Sequence, residues 1–285
     1  MTPDKLVQGS IDLISLPEVF FQINEMLDDP RFGAVEIGNV ISKDPAMTAR
    51  LLKIVNSALY SFPSRIDTLS RAVAIVGIDE IRNVALATAA VEQFNDIPND
   101  LVDMTDFWMR SVYCGVVARI LAKECSVLHS ERMFIAGLLH ELGSLLLYNK
   151  MPGECREILL AADGNHKIIG DLEQDVLGFT YADVGGELAK LWKLPTSLQE
   201  AIGCHLFPEK AEDYRLDAHL INLAKQLTGI ILFDDDETEV LAGITELSSD
   251  LLRINEDQIV NVLKKAPMEI SEVFDLILPN VQFSY

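Results

Sequence analysis

Apolar residues recur at helical intervals along nearly the whole of this 285-residue chain, and this spacing restricts it to an all-α fold. Val19, Ile23, Met26 and Leu27 lie three or four residues apart, as side chains on one helix face do. Strands would show as alternating apolar and polar residues between Asn-Gly or Asp-Gly turns, and such patterns are missing. We therefore predict a multi-helical bundle of roughly a dozen helices with no sheet of consequence.

Helix-start signals support this prediction. Asp44 precedes Pro45, which is the usual order of an N-cap and a first helical residue. Asp79 is expected to cap a helix over residues 80–91, and a long helix is expected over Met104–Glu124. Capping boxes are predicted at Ser15–Glu18, Thr196–Gln199 and Asn255–Gln258.

The net charge of −21 argues against nucleic acid and anionic membrane surfaces as partners, because binding a polyanion needs clustered Lys and Arg. The longest apolar run, Phe134–Leu147, is too short to span a membrane and contains His140 and Glu141. Residues 1–15 lack the basic start and apolar run of a signal peptide. We expect a soluble, cytoplasmic protein with an ample apolar core.

The four cysteines point to the same compartment. They are widely spaced and form no Cys-x-x-Cys pair, which predicts small, free side chains in a reducing cytosol. They are Cys114, Cys125, Cys155 and Cys204.

Two polar stretches interrupt the helical pattern. Residues 93–100 separate a first helical block, about 10–94, from a second that opens with the helix Met104–Glu124. The acidic run Asp234–Glu237 is interpreted as a solvated loop that also places negative charge at the next helix's N-terminus. Metal binding by this run is the alternative. His129 and His166 are expected near loops at the surface.

The segment Phe134–Tyr148 is almost wholly apolar except for the adjacent pair His140-Glu141, which we place inside one helix. A hydrogen-bonded pair in the core is one interpretation, and a metal-binding pair is the other. Asn56 and Ser57 are poor residues for a helix interior, because their side chains compete for backbone groups. We interpret them as the end of the preceding helix, and contact with a ligand is the alternative.

Several short stretches together resemble one known family. The two most specific are Asn56–Tyr60 and Val76–Asn83. The others are Leu16-Pro17, Ile41–Pro45, Arg50–Val55, Ile66–Val73, Phe107-Trp108, Gly137–His140, Ala182–Gly185, Trp192–Pro195 and Ala201-Ile202. These stretches are similar to the HDOD family, the HD-related output domain of bacterial signalling proteins.

The resemblance covers residues 12–210 and implies an all-α fold that shares its helical core with the HD phosphohydrolases. We expect an N-terminal helical subdomain over 12–94, a degenerate HD-like core over 104–210, and a helical extension over 211–285. In the HD enzymes, His and Asp side chains from several helices hold divalent metals that activate water.

The resemblance also implies where metal ligands should stand, and this sequence departs from the pattern at most of these places. The first His is replaced by Arg110, or by Met109 if the register slips. The His-Asp pair is His140-Glu141, with Ser144 where a Lys is usual. Glu141 moves the carboxylate by about 1.5 Å relative to Asp.

The later ligand places are altered in the same way. Tyr181 stands where a His would precede Ala182, and the later His pair is Cys204-His205. The last Asp is replaced by Asn222, whose amide is a weak ligand. We therefore expect a vestigial pocket with no catalytic residues and no cofactor. If a divalent metal binds at all, its ligands would be His140, Glu141 and His205.

The function that this implies is a non-catalytic signal-transduction module that acts through a protein partner. Because no receiver domain precedes residue 12, we expect it to act as a stand-alone adaptor. One alternative is a metal-dependent phosphohydrolase with an altered ligand set that includes His219. Another is a binder of a small anion at Arg110, whose guanidinium offers a forked donor.

Overall fold

The structure is a computed structural model that describes residues 1–14, 16, 18–27, 29, 31–57, 60, 62–95, 100–128, 130–233, 235–243 and 251–277. Within these residues the chain is α-helical, with two short 3-10 turns and no β-strand, so the predicted all-α class is confirmed. None of the described helices has the length and apolarity needed to cross a membrane.

Sixteen helices are assigned within the described residues. They are α1 (Pro3–Gln8), α2 (Glu18–Leu27), α3 (Ala34–Ile41), α4 (Pro45–Val55), α5 (Leu69–Val76), α6 (Ile78–Asn95), α7 (Met104–Glu124), α8 (Glu131–Leu139), α9 (Leu142–Lys150), α10 (Pro152–Ala162), α11 (Ile169–Leu177), α12 (Tyr181–Leu191), α13 (Thr196–Gly203), α14 (Arg215–Phe233), α15 (Glu237–Gly243) and α16 (Glu256–Ile277). The predicted helix over Met104–Glu124 is confirmed as α7.

The chain divides into two compact units. One comprises Met1–Leu13 and Asp96–Pro267, and the other comprises Ile14–Asn95 and Met268–Tyr285. The expected boundaries at 12–94, 104–210 and 211–285 stay predictions.

In the smaller unit, α3 packs against α2 and α5, and α6 packs against α2, α4 and α5. The Asp44 carboxylate accepts two backbone N–H groups of α4, each at 3.0 Å, so this predicted N-cap is confirmed. Asn56 ends α4 as predicted, and its side-chain amide bonds the carbonyl groups of Leu52 and Ile66. The predicted cap at Asp79 is wrong, because α6 already begins at Ile78.

In the larger unit, α7 packs against both α8 and α14, and α12 packs against both α9 and α13. Two facing glycines let α7 and α8 approach closely. A Cβ atom on Gly137 would lie 2.6 Å from the Cα atom of Gly115, closer than real Cβ atoms come. Trp108 and Phe107 of α7 are fully buried. The core of this unit therefore lies along α7.

The predicted capping boxes have three different outcomes. At α16 the backbone N–H groups of Asn255 and Gln258 each donate to the other residue's side chain at 3.0 Å, which confirms the box. The box at Thr196 is wrong: Pro195 is the N-cap, and Gln199 instead donates to the carbonyl of Leu194. The predicted box at Ser15 lies outside the described residues.

Candidate functional site

The His140-Glu141 pair lies at a junction between two helices. Helix α8 ends at Leu139 and α9 begins at Leu142, so the prediction that one helix contains the pair is wrong. The backbone N–H and the hydroxyl of Ser144 both donate to the carbonyl of Glu141, at 3.0 and 2.7 Å. This contact over three residues tightens the turn and restarts the helix. The bend between α8 and α9 therefore places His140 and Glu141 toward the interior.

His140 is a buried, neutral imidazole, and one of its nitrogens makes no hydrogen bond to a described residue. Its Nδ1 lies 2.7 Å from the carbonyl oxygen of Gly137, and a carbonyl can only accept, so Nδ1 carries the proton. Burial lowers the pKa of His140, although the Glu141 carboxylate opposes this. Nε2 is therefore a bare acceptor, 3.7 Å from Oε1 of Glu141. Two acceptors thus face each other here.

Arg110 pairs with Glu141 from the second turn of α7. Its Nε donates to Oε2 of Glu141 at 3.3 Å, and the two side chains are 15% and 16% exposed. Burial would raise the pKa of Glu141, but the neighbouring charges, Arg110 foremost, lower it to about 2. Glu141 is therefore an anion at neutral pH, and its nearest cation is a guanidinium.

The hydroxyl of Tyr181 is hydrogen-bonded to the nitrogen of His205 that a metal ion would need as its ligand. Nδ1 of His205 donates to the carbonyl of Ile202 at 2.7 Å, so the Tyr181 hydroxyl, 3.2 Å away, donates to the bare Nε2. Burial lowers the pKa of His205 well below its usual value, which keeps the ring neutral. The His140 and His205 rings stand 5.1 Å apart at 72°.

A glycine fixes the position of Tyr181. A Cβ atom on Gly143 of α9 would lie 2.0 Å from the carbonyl oxygen of Tyr181 and 2.6 Å from the nitrogen of Gly185. Only glycine lets the two helices meet at this distance. The backbone of α12 is thereby held directly against the turn that carries His140 and Glu141.

The remaining predicted positions have different roles. The side-chain amide of Asn222 donates to the carbonyl of His205 at 2.7 Å, and its oxygen accepts from Gln226 at 2.6 Å. Cys204 is half-buried at the end of α13, and His219 is buried on α14; neither lines the cavity described next.

A cavity of about 810 Å³ opens onto Arg110, His140 and Glu141. Its floor comes from α7, the α8–α9 turn and α14. Its apolar wall comes from Leu206, Phe207, Phe233 and Val240. Its rim comes from residues 163–167, Gly170, Asp171 and Asp235. Met109, the alternative to Arg110, does not line it.

His166 lies in the loop between α10 and α11, as predicted, and it also lines this cavity. The ring is half-buried and stacks on Phe233, with centroids 4.6 Å apart. Next to it, Lys167 pairs with Asp235 of the acidic run at 3.6 Å. The predicted loop position of His129, like Asp234, lies outside the described residues.

Sequence reasoning missed Lys225, Gln226 and Gly229, which line the cavity from α14. The sequence could have indicated them, because they follow Asn222 by three, four and seven residues and so share its helix face. Lys225 has no carboxylate of a described residue within 4 Å of its ammonium group.

Sequence reasoning also missed Glu173 on α11. This carboxyl group is 1% exposed and accepts the backbone N–H of Tyr181 at 2.6 Å, at the start of α12. Burial raises the pKa of Glu173 to about 8, against the effect of this hydrogen bond. Glu173 is therefore largely protonated at neutral pH.

The residues present do not fit the metal centre that the HD enzymes would imply. Nε2 of His205 already accepts from Tyr181, and the oxygen of Asn222 already accepts from Gln226. Of the three predicted ligands, this leaves Nε2 of His140 and the carboxylate of Glu141, which is paired with Arg110. Across the described ranges, no three His, Cys, Asp or Glu side chains group so as to hold a metal ion. A two-metal centre needs more ligands than these.

Comparison with known proteins places the chain in a family. A family model for the HDOD domain matches residues 13–208. An uncharacterized protein of Treponema pallidum (strain Nichols) is 28% identical over 233 residues, which cover 80% of this chain and 44% of that protein. This chain thus spans less than half of that relative's length.

Solved structures share the fold. An HDOD domain protein of unknown function from Geobacter sulfurreducens superposes with a TM-score of 0.72 at 22% identity, covering 96% of this chain and 97% of that chain. A protein of Shewanella amazonensis SB2B, provisionally named a phosphohydrolase, gives 0.70 at 24% identity, covering 95% and 97%. A Marinobacter aquaeolei VT8 protein, provisionally named for signal transduction, gives 0.68 at 21% identity, covering 95% and 60%. Because the family model spans most of the sequence, the chain belongs to the HDOD family.

Proposed function

We propose that this chain is a non-catalytic signal-transduction module that acts by binding a protein partner. Membership of the HDOD family, whose members are output domains of bacterial signalling proteins, supports the signalling part of this proposal. The chemistry of the cavity floor supports the non-catalytic part.

The observation that carries the proposal is the hydrogen bond from the Tyr181 hydroxyl to Nε2 of His205, at 3.2 Å. A metal ligand must present a free lone pair, and this one is taken by a neutral donor. Moving the tyrosine away would require breaking a hydrogen bond between two buried groups.

The Arg110–Glu141 pair gives independent support. A guanidinium stays charged at all accessible pH values, so it competes with any divalent cation for the Glu141 carboxylate. Since the two groups are mostly shielded from water, their attraction is screened less than that of a surface pair.

The test is a metal-dependent hydrolysis assay. Metal-free protein is given manganese, iron, magnesium or nickel together with phosphomonoesters, nucleotides or cyclic dinucleotides, and its metal content is measured in parallel. We expect no turnover above the background of a heat-denatured sample and less than about 0.1 metal per chain.

A matched pair of variants makes the assay decisive. His140→Ala removes the one bare imidazole nitrogen of the floor, and His219→Ala removes a buried histidine of the same unit that does not line the cavity. Robust turnover that is lost in His140→Ala would overturn the non-catalytic proposal, and its loss in His219→Ala as well would assign His219 to the altered ligand set.

A further inference from the structure

The cavity floor holds charges that do not cancel. Arg110 and Lys225 are cations, Glu141 is an anion, and His140 is neutral, so the floor carries one net positive charge. Asp163 and Asp171 at the rim are exposed to solvent, which screens their effect. Asp235 is already paired with Lys167. The floor is therefore complementary to one negative charge.

Hydrogen-bond donors on the floor also lack acceptors. Arg110 uses only its Nε, toward Glu141, and its Nη groups make no hydrogen bond with any described residue. The ammonium group of Lys225 likewise has no partner in the described part of the chain. Both side chains line the cavity, so these donors are available to a bound acceptor.

Beside these donors lie two acceptors without a donor. They are Nε2 of His140 and Oε1 of Glu141, 3.7 Å apart, and neither is hydrogen-bonded to a described residue. An O–H or N–H group placed between them would bond to both. The wall above is apolar and aromatic, and the volume of about 810 Å³ suits a small organic molecule.

We propose that this cavity binds a small organic anion with a single negative charge, a neighbouring O–H or N–H donor, and an apolar body. The acidic group lies between Lys225 and the free Nη groups of Arg110. The donor lies against His140 and Glu141, and the body packs on Phe207 and Phe233. A carboxylate and a phosphodiester both meet this description. The site goes beyond the proposed signalling function, because it gives the module a ligand.

Matched probes test each feature. Mandelate has the carboxylate, hydroxyl and phenyl ring; phenylacetate lacks the hydroxyl; mandelamide lacks the charge. Cyclic AMP is a phosphodiester with N–H donors. Thermal unfolding and titration calorimetry are measured with each. A probe that meets the description raises the Tm by about 3–6 °C at ten times its Kd. Mandelate is expected to bind more tightly than phenylacetate, and mandelamide is expected not to bind.

Lys225→Gln is the informative variant, since it removes a cation without leaving a carboxylate unpaired. It is expected to weaken binding by about 10- to 100-fold. Lys264→Gln removes the same charge from an exposed position on α16 that does not line the cavity, and it should bind like the wild type.

The outcomes separate the two proposals. If neither mandelate nor cyclic AMP raises the Tm, or if Lys225→Gln and Lys264→Gln bind alike, the ligand site is refuted and the signalling proposal stands. If binding depends on Lys225 but the protein also hydrolyses phosphoesters through His140, the ligand site stands and the non-catalytic proposal fails. Stronger binding of mandelate than of cyclic AMP identifies the acid as a carboxylate, and the reverse identifies a phosphodiester.

Discussion

Glu141 and Glu173 are largely buried glutamates of the same compact unit, yet folding shifts the pKa values of their carboxyl groups in opposite directions. Glu141, on the cavity floor, faces Arg110, and its pKa falls to about 2 despite burial. Glu173, at the start of α12, has only a backbone N–H as its partner, and burial raises its pKa to about 8. A neutral donor does not offset the loss of water around a carboxylate, whereas a guanidinium does.

The two pKa shifts make the free energy of unfolding depend on pH in opposite ways. Glu141 binds a proton less readily when folded, so its contribution is present above its ordinary pKa, about 4.5, and is lost as the pH falls toward 2. Glu173 binds a proton more readily when folded. Its contribution is therefore present below pH 4.5 and is lost as the pH rises through about 8.

The largest expected effect comes from Glu173→Gln. Glutamine keeps the acceptor for the Tyr181 N–H but cannot ionise. Between pH 4.5 and 8.5 the wild type should lose about 4 kcal/mol of unfolding free energy relative to this variant. Urea unfolding at both pH values measures this change. The exposed Glu157→Gln on α10 serves as a control and should follow the wild type. A difference that stays constant with pH would show that Glu173 is ionised in the folded protein.

In Arg110→Met, the pKa of Glu141 should be raised by burial, as that of Glu173 is, because the neighbouring guanidinium is gone. Removing the guanidinium leaves a largely buried carboxylate without its nearest cation, at an expected cost of about 3 kcal/mol at pH 7. The cost should shrink at pH 4, where the carboxyl group can take up a proton. In the double variant Arg110→Met/Glu141→Leu most of the stability should return. A single variant that unfolds like the wild type at pH 7 would mean that other cations suffice.

Tyr181 connects the two regions, because its backbone bonds Glu173 and its hydroxyl bonds His205. Tyr181→Phe removes only the second bond and should cost about 1–2 kcal/mol, since Nε2 of His205 then lacks a donor. Chemical unfolding measures this cost, and Tyr214→Phe at an exposed position is the matched control. If Tyr181→Phe also abolishes the pH dependence of the unfolding free energy that is attributed to Glu173, the two regions are coupled through this residue.

The smallest expected effect is that of Ser144→Ala, which deletes one hydroxyl bond to the Glu141 carbonyl. A cost of about 1 kcal/mol or less is expected, with the acid limb of the stability profile unchanged. Unfolding between pH 3 and 7 tests this. A shift of the acid limb would mean that the hydroxyl, and not Arg110 alone, sets the charge of Glu141.

Most features that depend on close neighbours in sequence were predictable, although the cap at Asp79 and the box at Thr196 were wrong. The helix over Met104–Glu124, the cap at Asp44 and the box at Asn255 each involve residues within one or two turns, and all three are confirmed. The family was likewise recognisable from short stretches.

Features that depend on distant helices were not predictable in the same way. The pKa of Glu173 follows from its own burial on the inner face of α11, which no local pattern reports. Lys225 was missed because a lone lysine on a helix is usually solvated, and its role depends on the cavity that α7 and α14 share. The Tyr181 substitution was visible in the sequence, but its hydrogen bond to His205 was not.

The contact at Gly143 bears on how the chemistry of this cavity can change. Backbone atoms of α9 and α12 meet directly there and set the spacing of the two helices. Altering Arg110, Tyr181 or Asn222 therefore exchanges functional groups on a frame whose dimensions are fixed elsewhere. Such a frame can lose one chemistry and acquire another by single substitutions, without first having to be rebuilt.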